Sequence, residues 1–156
     1  MLEFELKAQP PSLLEVHQAT PSQIQRQSIE AIRKTRVFVG NTPCHLGDWF
    51  NVSGDATDLH HVWLGDLSSV NGIGYRMMEG VVEVRGPVGN HLGSRMSGGE
   101  IRLTDRAGDF AGAEMSGGLI WIKGSAGDFL GANYDGGQLG QTGGVIRVDG
   151  SAGSDV

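Results

Sequence analysis

Four short stretches in the second half of the chain alternate apolar and polar residues: Val82-Glu83-Val84, Ile101-Arg102-Leu103, Ile120-Trp121-Ile122 and Ile146-Arg147-Val148. Alternation of period two over β-branched residues predicts strands with one buried face. The first three begin 19 residues apart, and the same step links Gly74, Gly93, Gly112 and Gly131, then Met77, Met96 and Met115, then the pairs Gly98-Gly99 and Gly117-Gly118. A period near 20, built from a strand and a glycine corner, predicts an array of units that cannot bury their apolar faces singly. The pattern is therefore read as an all-β solenoid, a parallel β-helix with coils of about 19 residues.

In that geometry like residues stack. Val82, Ile101, Ile120 and Ile146 form one expected internal column, and Val84, Leu103, Ile122 and Val148 a second. Met77, Met96 and Met115 are expected as a third internal stack rather than a cofactor box, and Gly74, Gly93, Gly112 and Gly131 as corners. Outward, Glu83 should face Arg102 and Arg95 should face Glu114, each pair 19 apart. Asn71, Asn90, Asp109 and Asp128 share one column and are read as side chains that cap turns. The fourth repeat is longer by 7 residues around Tyr134 to Gly140. These are expected to leave the array as a loop, with Tyr134, Asp135, Gln138 and Leu139 as partner contacts.

Residues 1–68 follow another pattern. Leu2 to Leu6 reads as a strand ended by Pro10-Pro11, and Thr20-Pro21-Ser22-Gln23 is a capping box with proline at the first helical position. A helix or helix pair is expected through Ile24, Ile29 and Ile32 to about Lys34. Val37–Val39 and Trp49–Val52 read as two strands around the turn at Gly40-Asn41-Thr42-Pro43, and His60–Leu64 as the strand opening the array. The division is thus an α+β capping region over 1–68 and repeats over 69–156, truncated just as another repeat opens at Ala152-Gly153.

Composition sharpens this picture. The chain has 156 residues, 26 of them glycine, and only 6% are aromatic, which leaves little bulk for a helical bundle. Its net charge of −6 is spread over both halves and argues against a nucleic-acid binder. A lone cysteine, Cys44, and the lack of an apolar run of membrane length suggest an intracellular, cytoplasmic protein. Chemistry is scarce. His60 and His61 are neighbours on a strand and point to opposite faces, so they make a poor metal pair. Gly137 to Gly144 lacks the following helix that a phosphate cradle requires. Trp121, outward on its strand, is the main candidate for a partner contact. No catalytic, cofactor-binding or metal-ligating residue is assigned, and a scaffold is the better reading.

Gly86-Pro-Val-Gly-Asn-His-Leu-Gly-Ser-Arg-Met-Ser-Gly-Gly-Glu-Ile and its echo from Ala107 to Ile120 resemble the glycine-rich repeat shared by glutamate synthase C-terminal domains and the C-type subunit of formylmethanofuran dehydrogenase. Val37-Phe-Val-Gly-Asn, Leu46-Gly-Asp-Trp-Phe-Asn-Val-Ser-Gly-Asp and Gly127-Asp-Phe-Leu-Gly-Ala-Asn-Tyr resemble the latter. That resemblance implies a right-handed β-helix acting as the non-catalytic C-type component of a formylmethanofuran dehydrogenase or of a formyltransferase/hydrolase complex in one-carbon metabolism. The implied partners are an amidohydrolase-like, a molybdopterin-like and a formyltransferase-like subunit. The implied cofactors, all held by the complex and not by this chain, are a methanofuran-type carrier, zinc in the hydrolase component, and a molybdenum or tungsten pterin with iron–sulfur clusters in a dehydrogenase. The alternative is a glutamate synthase-type domain supporting ammonia channelling.

Overall fold

The alternation in Val81–Arg85 buries Val82 and Val84, leaves Glu83 half-buried and turns Arg85 outward, as expected of a strand with one covered face. The computed structural model describes residues 1–132 and 141–153. In chain order these form strands β1 (Leu2–Leu6) and β2 (Leu14–Glu15), helices α1 (Pro21–Ile24) and α2 (Ile29–Arg33), and strands β3 (Arg36–Val39) and β4 (Thr42–His45). Helix α3 (Leu46–Trp49) follows, then β5 (Phe50–Gly54), β6 (His60–Leu64), β7 (Val70–Asn71), β8 (Val81–Arg85), β9 (Glu100–Leu103), β10 (Leu119–Ile122) and β11 (Val145–Val148).

These strands make two sheets, one of seven strands in the order β11-β10-β9-β8-β6-β1-β5 and one of four in the order β4-β3-β2-β7. The expected architecture, an all-β solenoid in the form of a right-handed parallel β-helix behind a separate cap, is corrected by this arrangement. The protein is mixed α/β, and both sheets contain antiparallel as well as parallel pairs: β1 with β5, β2 with β3 and β3 with β4 run antiparallel. The reason is that a repeat period reports only which residues face one another among the repeats. It is silent about what else joins their sheet, and here β1 pairs in parallel with β6 and carries β5 on its other side.

Within the repeats, neighbouring strands are parallel and in register. Val82 lies opposite Ile101, and Ile101 opposite Ile120; Val84 lies opposite Leu103, and Leu103 opposite Ile122. Ile146 and Val148 lie opposite Ile120 and Ile122, 26 residues on, and are only partly buried because β11 is the outer strand. Met77, Met96 and Met115 are fully buried. Their Cε atoms sit where a Cβ on the second glycine of the next Gly-Gly pair would be: Met77 under Gly99 and Met96 under Gly118, each at 2.8 Å. At the corner, Gly93 has φ +62°, and a Cβ there would stand 2.6 Å from Ile120 Cδ1. Glycine is thus required by both backbone and space. The Asx column bonds between repeats: Asn71, Asn90 and Asp109 each accept, through Oδ1 at 2.8 Å, the backbone N–H of the column member 19 residues later.

The N-terminal region is built differently. Gln23 Oε1 accepts the Thr20 N–H at 3.0 Å, closing one arm of the capping box at the start of α1. The hairpin partner of β3 is β4, not Trp49–Val52, and the latter segment supplies β5 to the other sheet. Phe4, Phe50 and Trp63 pack as one aromatic group, with Phe4 stacked on Trp63 at 4.0 Å between ring centroids and Phe50 edge-on to both.

Candidate functional site

The columns read from the repeat pattern occupy interior and corner positions, so Val82, Ile101, Ile120, Val84, Leu103, Ile122 and the three methionines are removed from any ligand. Trp121 is half-buried on the outward face of β10. Its indole N–H donates to Asp149 Oδ2 at 3.0 Å, and the Lys123 ammonium and Arg147 guanidinium stand 5.1 and 4.5 Å from its ring centroid. Such cation–π contacts hold the ring in place. Tyr134, Asp135, Gln138 and Leu139 lie outside the described residues.

Of the two outward pairs, Arg95 Nε donates to Glu114 Oε2 at 2.8 Å across repeats. Arg102 does lie opposite Glu83, but its guanidinium bonds Glu100 on its own strand, at 3.1 Å from both Nε and Nη2, and Arg85 bonds Glu83 at 3.2 Å. The i,i+2 partner lies on the same face of the strand. The histidine pair separates as its alternation requires: His60 faces Glu83 at 3.2 Å, whereas His61 is fully buried, edge-on to Phe4. Neither His61 ring nitrogen has a hydrogen-bond partner, and burial pushes its imidazole down to about 4. Among the described residues no three His, Cys, Asp or Glu side chains converge as a metal site.

One polar pocket has no counterpart among the sequence expectations. A cavity of about 340 Å³ is lined by Glu15, His17, Tyr75, His91 and Arg95. His17 Nε2 lies 3.0 Å from Glu15 Oε2, and buried Asn71 donates to the other carboxylate oxygen at 3.3 Å. These contacts, the His17 bond first, hold the Glu15 carboxyl below the usual carboxylate range despite its partial burial. The His17 ring stacks on Tyr75 at 4.5 Å. His91 stacks on Phe110 and Phe110 on Phe129, at 5.2 and 4.7 Å, and burial holds the His91 imidazole below its ordinary value. The available signal was in the register. Counting down by 19 from Phe129, Phe110 and His91 reaches Gly72, and the His17 ring, from a distant segment, fills the space a side chain on Gly72 would need. The pocket gathers a carboxylate, two imidazoles, a phenol and a guanidinium around one small space.

The chain is similar to components of two formyl-handling complexes. Over 86 residues the chain is 36% identical to the C-type subunit of the tungsten-containing formylmethanofuran dehydrogenase 2 of Methanothermobacter marburgensis, and 38% identical to that of Methanothermobacter thermautotrophicus. The match takes in 53% of this chain, and it spans 32% of the length of either relative. A chain of the formyltransferase/hydrolase complex from Methylorubrum extorquens, solved with methylofuran, superposes with a TM-score of 0.90 at 27% identity, covering 96% of this chain and 56% of the other. The likeness to the C-type subunit read from the Gly86 and Ala107 stretches is therefore borne out. No family model matches, and the wider glycine-rich repeat family is not borne out. Among the described residues no helix is long and apolar enough to cross a membrane.

Proposed function

We propose that this chain is the C-type component of a cytoplasmic formylmethanofuran dehydrogenase or formyltransferase/hydrolase complex, where it is a rigid flank for the subunits that carry the chemistry. The observation that carries this reading is a structural likeness over 96% of the chain to a component of one such complex, joined to sequence likeness to the C-type subunit of the other. An interior filled by aliphatic and methionine columns suits a stiff support. In this reading the methanofuran-type carrier, the zinc and any tungsten or molybdenum pterin belong to the amidohydrolase-like, molybdopterin-like and formyltransferase-like partners. Trp121, braced by two cations, meets one of those partners.

Purification of the complex from cells with and without this chain tests the reading. The expected result is that the chain co-purifies with the formyl-handling subunits, and that its deletion lowers their assembly and activity together. Fully active catalytic subunits that never bind the chain would refute it. Formyl oxidation by the purified complex indicates the dehydrogenase; formate release without oxidation indicates the formyltransferase/hydrolase.

A further inference from the structure

A cavity of about 730 Å³ is an open groove between the helical segment and β3. Its lining contains two cations, Lys34 and Arg36, three glutamines, Gln18, Gln23 and Gln27, and the exposed ring of Phe38, with no carboxylate. The chain as a whole carries a net charge of −6, and five of its twelve Lys and Arg side chains, Arg33, Arg85, Arg95, Arg102 and Arg147, pair with acidic side chains. Among the described residues Lys34 and Arg36 pair with none. Strand alternation explains part of this: Arg36 and Phe38 leave β3 on the outer face while Val37 is buried between them. Lys34 closes α2 beside them. Gln18 makes no side-chain hydrogen bond among the described residues, and Gln27 is occupied only by a long one, 3.4 Å to the Gln23 carbonyl.

We infer that this groove binds an extended acidic peptide segment of another protein. Each component matches one feature of such a ligand. The amides of Gln18 and Gln27 supply donors and acceptors for a peptide backbone, the two cations take carboxylates on neighbouring outward side chains, and Phe38 offers an apolar contact beside them. Lys34 and Arg36, with no carboxylate in the lining, favour an acidic partner by local electrostatic complementarity. The inference is independent of the subunit reading above, since it concerns a surface on which that reading does not rest.

The test is an NMR titration of the ¹⁵N-labelled full chain with a capped seven-residue peptide of glutamates and aspartates around a central leucine. Saturable shifts are expected at Gln18, Gln27, Lys34, Arg36 and Phe38. The double reversal Lys34→Glu with Arg36→Glu should weaken binding about tenfold or more, and the corresponding lysine peptide should bind that variant about tenfold better than it binds the native protein. Both positions lie on the open surface of the groove, so an unchanged thermal midpoint should accompany the loss. The inference is overturned by the absence of saturable shifts up to about 1 mM peptide, by shifts mapping elsewhere, by unchanged affinity in the double variant, or by sodium phosphate binding as well as the peptide.

Discussion

The repeats from Val81 to Ile122 and the region from Met1 to Leu64 share one seven-stranded sheet but are held together in different ways. In the repeats each residue meets its own counterpart 19 positions away, so the interior is a set of columns of similar aliphatic size. In the N-terminal region the same columns run on into unlike residues: Trp63 lies opposite Val84 and Phe4 opposite Trp63, with Phe50 packed edge-on to both and buried His61 beside Phe4. The difference teaches that a column spreads its stability over interchangeable layers, whereas the aromatic group concentrates it at one place. A void in a column removes a few methylenes; a void at Trp63 removes the centre of a cluster.

The largest expected effect follows at that centre. Trp63→Ala should cost about 3–5 kcal/mol in urea unfolding, and the matched truncation Ile101→Ala in the columns should cost less, toward the low end of about 2–5 kcal/mol. Equal losses would erase the contrast. His61 sets the next effect. Its imidazole falls from an ordinary 6.5 to about 4 in the fold through burial, opposed by Asp58 and reinforced by His60 and the amino terminus. The unfolded chain therefore binds the proton first. Stability is complete above about pH 6.5 and declines as the pH falls toward 4, by about 3 kcal/mol over that window. His61→Leu, which removes two unpartnered buried nitrogens, should flatten the part of the decline due to this residue; an unchanged pH profile of the urea midpoint would assign that decline to other groups.

Gly93→Ala tests the repeats directly. It puts a side chain at φ +62° and within 2.6 Å of Ile120 Cδ1. A loss of about 1–3 kcal/mol is expected in thermal unfolding, while a neutral variant would mean that the corner can rearrange. The smallest effect belongs to the exposed pair Arg95–Glu114, although its geometry is good at 2.8 Å. Arg95→Ala should cost less than about 1 kcal/mol and should matter less still in high salt. A larger loss would show that the repeats depend on outward charge as well as on columns.

Local encoding explains why part of the fold is legible along the chain. Leu2–Leu6 and His60–Leu64 are the observed strands β1 and β6, and Thr20 to Gln23 begins a helix, because alternation and capping chemistry act over a few residues. Trp49–Val52 takes a different partner from the expected one because a turn at Gly40-Asn41 can close a hairpin with whichever strand follows, and Thr42–His45 follows at once. The polar pocket is hidden for a related reason: Glu15 and His17 reach Tyr75, His91 and Arg95 only after β2 pairs with β7.

Spacing along the chain determined which residues of the repeats lie over one another, because a strand repeated at a constant interval leaves its neighbour one register to take. It also determined where only glycine fits and where methionine fills the gap. Tertiary structure alone decided that β1 enters the same sheet and brings β5 with it, that the His17 ring takes the place left by Gly72, and that two cations without acidic partners among the described residues share a groove with three glutamines. These features depend on contacts between segments far apart in the chain. Such contacts are selected by packing and chain closure rather than by any short pattern of residues.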